Sequence, residues 1–181
     1  MTRSTFRRAT VPSLFALAAL TACVVNLNFT YAVTGQAVHA VETTNTINSA
    51  VAIDLTKQSD IQAHKANIQD LTIGSVDMTI SAVQSDNTIA TVTGTLVLRP
   101  DGGAADGSQD VLVGALTAFP ITQGSSIHLL GTPALDAFAL STVKGTGLCS
   151  AFIKGSTTGG MTADFAVDLK LSLSMAYDAG L

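Results

Sequence analysis

The side chains of this sequence that are suited to chemistry are few and scattered. The loop Asp101-Gly-Gly-Ala-Ala-Asp106-Gly-Ser-Gln-Asp110 sets three carboxylates among glycines. A hard cation such as Ca²⁺ takes about six to eight oxygen ligands, and an acidic, glycine-rich loop can wrap one. The alternating acid spacing and closing Glu of an EF-hand are missing, and the same residue types make plain solvated turns. Asp101, Asp106 and Asp110 are therefore the calcium candidates, and no other metal and no cofactor is expected. His39, His64 and His128 stand in no paired ligand spacing, and the two cysteines, Cys23 and Cys149, form no CxxC. Gly147-Leu148-Cys149-Ser150-Ala151 echoes a GxSxG nucleophile elbow, but its last glycine is missing and a cysteine takes the nucleophile's place. Asp164 and Asp168, four apart on an alternating stretch, share a face. Paired acids can do acid–base work, but here they alternate with an apolar set and serve to solvate it. Glycine-rich phosphate loops are absent. No catalytic constellation emerges, so the chain is not expected to be an enzyme. A hydrolase remains as one alternative, and it needs a nucleophile, base and orienter brought together from distant residues.

Charge narrows the partners. The chain carries nine Lys/Arg and 13 Asp/Glu, a net charge of −4. Arg3, Arg7 and Arg8 all precede Cys23, and no acid does, which leaves six cationic residues against 13 acidic ones beyond that point, a net −7. A surface of that sign repels phosphate, so nucleic acid is not a partner, and docking on anionic lipid by charge alone is disfavoured.

The N-terminus has the order of a secretory leader. Three arginines lie in Met1–Arg8, an apolar run follows from Val11 to Leu20, and the small residues Thr21 and Ala22 precede Cys23. The run is half the length of the roughly 20 residues that span a bilayer as a helix. Leu20-Thr21-Ala22-Cys23 resembles the lipobox of bacterial lipoproteins. The resemblance covers the leader alone and implies that residues 1–22 are a signal peptide. It also implies that Cys23 is acylated and becomes the mature N-terminus. By the same resemblance Val24, where an Asp would signal inner-membrane retention, implies an outer-membrane address in a Gram-negative host. More than one acyl chain gives stable anchoring. With Cys23 acylated, Cys149 has no partner for a disulfide and reads as a small buried hydrophobe.

Residues 23–181 then form one domain that must be held by its own core. Leu27, Phe29, Tyr31 and Val33 alternate with polar residues and predict a strand starting at the anchor. Val51, Ile53 and Leu55 predict a second. From Phe165 to Tyr177 period-two alternation predicts a long strand with one wet face. Between Leu71 and Ala82 the apolar phase slips at Gly74, which predicts a β-bulge. Further strands are expected over Asn87–Leu98 and Val111–Phe119, and a hairpin turn over Gly155–Gly160. Ser59 and Gln62 fit a capping box for a helix over Asp60–Asn67. Thr132 and Pro133 fit the start of a second helix that Gly145 ends.

The expected architecture is mainly β, an antiparallel sandwich or curved sheet with two short helices. The alternative is an α+β fold with a duplicated β-α-β-β unit, Ile53–Leu98 repeated as Ile127–Met175 with an offset of about 74 residues at the helices. The functional expectation is a lipid-anchored cell-envelope lipoprotein acting as a non-enzymatic binding or structural module. Its partners would be the membrane, through the anchor, and an envelope protein or an apolar ligand. A carrier of an apolar ligand or lipid is the second reading.

Overall fold

The computed structural model describes residues 23–42 and 44–180, so the leader lies outside the described residues. Eight strands follow in order: β1 (Val24–Val41), β2 (Thr46–Asp54), β3 (Ile68–Val83), β4 (Thr91–Pro100), β5 (Val111–Pro120), β6 (Ser126–Leu130), β7 (Leu148–Thr158) and β8 (Thr162–Asp178). Helix α1 (Ser59–His64) joins β2 to β3, and α2 (Pro133–Lys144) joins β6 to β7. The strands make two four-stranded sheets, ordered β1-β8-β3-β6 and β2-β7-β4-β5, with every pairing antiparallel. Inward side chains of both sheets join one apolar cluster, Leu71, Ile80 and Leu169 from the first and Val51, Leu96 and Ile153 from the second. The fold is thus a β-sandwich with two short helices, in jelly-roll strand order, and not a single sheet with helices on one face.

Strand β8 shows why the pattern works. Phe165, Val167, Leu169, Leu171, Leu173 and Met175 are all buried on its inner face. Burying each such side chain is worth roughly 1.5–3 kcal/mol. The outer set from Asp164 to Ala176 is half-buried except at the exposed Lys170, because β8 lies between β1 and β3 and its neighbours' side chains cover it.

The phase slip at Gly74 is a bulge. The register of β3 against β8 shifts between Ile73 and Ser75, so Leu71 and Ile73 on one side and Val76, Met78 and Ile80 on the other all reach the core. The irregularity is clamped from α2: the Ile73 N–H donates to Asp136 Oδ1 at 2.8 Å, and the Gly131 N–H donates to the Gly74 carbonyl at 2.9 Å. A Cβ on Gly131 would sit 1.4 Å from the Ile73 carbonyl oxygen, so only glycine permits the approach. On β1 the register shifts between Val33 and Gln36, where Gly35 takes φ +62° and its N–H donates to Asp168 Oδ1 at 2.6 Å. Val33 and Val38 thereby both point inward.

Helix α2 starts as expected. Thr132 caps it by accepting the Leu135 N–H, Pro133 occupies the first turn and Gly145 closes it; Leu135, Phe138, Ala139 and Thr142 are buried. Helix α1 differs. The capping residue is Gln58, without a side-chain cap bond, and Ser59 lies inside the helix. A 3₁₀ turn at Leu55–Lys57, held by the Asp54 carboxylate accepting the Thr56 N–H, delivers the chain one residue early. The helix ends at His64, and residues 65–67 continue as a second 3₁₀ turn. Strand β4 begins at Thr91 rather than Asn87, because the Asn87 side chain is engaged with the Ile89 carbonyl and the Asp164 N–H. The expected turn at Gly155–Gly160 also contracts. Gly155 is within β7, directly opposite Gly94 of β4, where a Cβ on either would strike the other strand's backbone.

The connectivity has a twofold regularity. Replacing each strand by the one four places later turns the order β1-β8-β3-β6 into β5-β4-β7-β2, which is the second sheet read backwards, and carries α1 onto α2. The recurrence expected from Ile53–Leu98 and Ile127–Met175 is present as topology. The repeating unit, however, has an additional leading strand, β1 or β5, and packs as a sandwich.

Candidate functional site

Cys23 stands one residue before β1 and is exposed. Its carbonyl accepts the Ala179 N–H at 3.1 Å, which places the start and the end of the described chain side by side at one end of the sandwich. Val24 is already paired with Asp178, so no linker separates Cys23 from the sheet.

The outer face of the β1-β8-β3-β6 sheet carries the densest set of polar side chains. Ala32, Lys170, Asp77 and His128 lie in register across its four strands. His128 Nδ1 is 2.5 Å from Asp77 Oδ1, and the ring remains 60% exposed. The neighbouring row holds Asp168, Thr79 and Ser126. Together with Thr34 these residues line a depression of about 460 Å³. A second depression, about 360 Å³, continues along the face past Asn28, Thr30, Thr72 and Ser174 beside Gly74. An imidazole held by a carboxylate is a base with its orienter. Among the described residues no hydroxyl is hydrogen-bonded to His128, so the third member of a nucleophilic constellation is not assembled there. What the face offers is a strip of hydroxyls, amides and alternating charges suited to hydrogen-bonded recognition.

The three calcium candidates stand in different surroundings. Asp110 is held on the outer face of the other sheet, where Arg99 Nε and Nη2 donate to its two oxygens at 2.5 and 3.0 Å and Lys154 Nζ donates to Oδ2. The Arg99 guanidinium lies 4.3 Å from the centroid of the Phe152 ring, and Lys154 Nζ lies 5.3 Å from it. The fork from Arg99, with Lys154 beside it, holds the Asp110 carboxyl down at about 2. Asp106 turns to the Ser108 N–H, and that bond lowers its pKa. Asp101 is exposed at the loop's start. Among the described residues no group of three His, Cys, Asp or Glu side chains converges as a metal site. The sequence gives no spacing from which the Arg99–Asp110–Lys154–Phe152 cluster could be read, since its members come from β4, the following loop and β7.

The remaining candidates are dispersed. Cys149 is buried on β7, and burial pushes its thiol up to about 12. The GxSxG echo therefore has its cysteine inside the core. His39 sits 3.4 Å from Asp164 on the adjacent strand, whereas Asp168 accepts from Gly35, so the two acids of β8 hold separate partners. His64 stacks on Tyr177 with ring centroids 3.7 Å apart. A third depression, about 410 Å³, opens where the edges of the two sheets meet, lined by Tyr31, Val33, Ile53, Leu148 and Cys149 with Asp54 and Lys57. The Tyr31 hydroxyl accepts the Asp54 N–H there at 3.1 Å, and burial raises its pKa.

No family model matches the chain, and no curated protein matches it. Among solved structures it is similar to Desmodium yellow mottle tymovirus, at 10% identity over 100% of this chain and 98% of that one, with a TM-score of 0.40. It is also similar to the BFDV capsid protein, at 12% identity over 84% of this chain and 97% of that one, with a TM-score of 0.38. Turnip yellow mosaic virus overlaps at 11% identity, covering 99% and 93%, with a TM-score of 0.35. Likeness at this level assigns the chain to no family.

Proposed function

We propose that this chain is an exported lipoprotein whose β-sandwich acts as a non-enzymatic binding or structural module, held at a membrane through an acylated Cys23. The observation that carries the proposal is the leader ending in Leu20-Thr21-Ala22-Cys23, directly ahead of an exposed cysteine that begins the folded domain. Acylation there costs the fold nothing, because Cys23 is outside the apolar cluster. Without a linker, the sandwich is held close to the bilayer. The polar strip on the β1-β8-β3-β6 face is the surface offered to an envelope partner, and in a Gram-negative host the address is the outer membrane.

The test is the intact mass of the protein extracted from its host's membranes. A mass equal to residues 23–181 plus two or three acyl chains supports the proposal, and Cys23→Ser should then move the protein to the soluble fraction. An unacylated mass, or a wild-type protein confined to soluble fractions, overturns it. A second reading, a carrier of an apolar ligand, is favoured by the groove at the meeting of the sheet edges. Lipid recovered by mass spectrometry from the purified protein, and lost on Val33→Lys, would support that reading instead.

A further inference from the structure

We infer that the outer edge of β1 is a self-association surface, and that two copies pair there, antiparallel, about a twofold axis at Ala32. The four sheet edges differ sharply. Strand β6 has five residues, β2 has nine and ends in Asp54, and β5 has ten, ends in Pro120 and is bulged twice against β4, with Ala118 at φ +45°. Short length, charge, proline and bulges are the devices that keep sheet edges from pairing. Strand β1 is 18 residues long and contains neither proline nor any Lys, Arg, Asp or Glu, although the chain from Cys23 onward is strongly acidic. Beyond its ladder with β8, the described main-chain groups of β1 meet only Asp168, at the Gly35 N–H, and the Gln36 side chain, at the Thr34 carbonyl. The edge therefore presents a row of N–H and C=O groups that a second extended strand can complete.

The occupant follows from the register. Ala32 pairs with Lys170, Val24 with Asp178 and Val41 with Thr162, so Ala32 lies eight ladder steps from each end of β1. The bulge makes this possible, because Thr34 and Gly35 together span the single β8 position of Asp168. Laid antiparallel on itself about Ala32, the strand is self-complementary. Val24 meets Val41 of the second copy, Asn26 meets His39, Asn28 meets Ala37, and outward residues face outward residues throughout. Val24 and Val41 are 55% and 72% exposed, and this register covers one with the other. No charged side chain of β1 opposes another, which removes the like-charge penalty of cross-strand pairs. A second copy meets the conditions of an isologous interface, in which one patch faces itself. The two outer faces then join as one eight-stranded sheet, with the depressions beside Thr34 and Asp168 brought together across the axis.

The experiment uses the mature protein implied by the leader, residues 23–181, with Cys23→Ser to keep it unacylated, and its failure would leave the lipoprotein proposal untouched. Sedimentation over a dilution series should show a dimer at high concentration that dissociates on dilution. Ala32→Lys places two lysines opposite each other and should leave monomer at every concentration, with the thermal midpoint of the dilute, monomeric wild type. Ala50→Lys on the β2 edge should leave the dimer intact. Should Ala32→Lys fail to fold, Ala32→Cys decides independently. Opposed antiparallel Cα atoms lie about 4.5–5.5 Å apart, within disulfide range, so oxidation should give a covalent dimer. Asn28→Cys, roughly 27 Å from its own copy, should cross-link only to Ala37→Cys. A wild-type monomer throughout, a dimer that Ala32→Lys leaves intact, or cross-linking by Asn28→Cys alone overturns the inference.

Discussion

Replacing Asp110 with Asn should destabilise the sandwich more than any other change in the acidic loop. The substitution keeps the shape and removes the charge. In the folded protein the carboxylate takes a two-pronged donation from Arg99 and a third donation from Lys154, and both Arg99 and Asp110 side chains are only about 10% exposed. An amide keeps one accepting oxygen and turns an N–H₂ group toward donors, leaving a cation over Phe152 without its counterion. The drop of the carboxyl from 3.8 to about 2 corresponds to about 2 kcal/mol of stabilisation near neutral pH. The misdirected amide adds to that, so a loss of roughly 2–4 kcal/mol is expected. For a domain of this size it amounts to a fall of roughly 4–16 °C in Tm. The sign with pH is set by the depressed folded value: the contribution is complete above the unfolded value of 3.8 and disappears as pH falls through about 2. Denaturant unfolding of wild type and Asp110→Asn should thus differ by a constant amount around neutrality and by clearly less in strong acid. Asp101→Asn, on an exposed carboxylate, serves as the control and should stay within about 0.5 kcal/mol of wild type. A loss under about 1 kcal/mol for Asp110→Asn, or a gap that does not narrow in strong acid, would refute the view that this ion cluster pins the loop.

The same cluster bears on metal. With Arg99 and Lys154 occupying Asp110, added Ca²⁺ should leave the thermal midpoint where a chelator leaves it, and a rise with Ca²⁺ in wild type but not in Asp101→Asn would restore the calcium reading. Asp136→Ala should cost about 1–3 kcal/mol, because it removes the carboxylate that accepts the buried N–H of Ile73 at the β3 bulge; equilibrium unfolding reads it, and no change would mean that the bulge holds itself. Leu169→Ala, which empties a site at the centre of β8, should cost about 2–5 kcal/mol by the same assay. Cys149 should resist a thiol reagent in the native Cys23→Ser protein and react on unfolding, since burial denies it both access and the thiolate form.

The strands were legible because their signal is local. Alternation over Phe165–Tyr177 and the phase slip at Gly74 are properties of consecutive residues, and each reappears as β8 and as the β3 bulge. Thr132 and Pro133 were readable for the same reason, as a cap and the first-turn proline that follows it. Ser59 misled because its environment is set from outside the helix, by the Asp54-capped turn that precedes it. Of the candidate residues, only Cys23 has a local signal, a leader adjacent to it in sequence, and it is carried forward as the proposal. Asp136 clamping Ile73 spans 63 residues and the bond between Lys154 and Asp110 spans 44. No spacing rule reaches across such separations, so nothing in the loop's spacing shows that Asp110 is taken by Arg99 and Lys154 and Asp106 by the Ser108 N–H, while Asp101 stays exposed.

The topological twofold sharpens the case for β1. Under it β1 corresponds to β5, each the leading strand of its half and each an edge of its own sheet. Two strands in equivalent positions face the same hazard of pairing with another chain, so a difference between them is informative. Strand β5 is shortened, carries two register shifts and a residue at positive φ, and closes on proline. Strand β1 keeps nearly twice the length and a single bulge, and that bulge is placed where it makes Ala32 the centre of the strand. If both edges were merely tolerated, β1 would be the one in greater need of blunting, since it is longer and equally free of charge. The reverse distribution is what an edge kept open for a second strand requires. It also separates the inference from simple stickiness. A non-specific edge would cross-link from any introduced cysteine, whereas the self-complementary register permits Ala32→Cys and forbids Asn28→Cys.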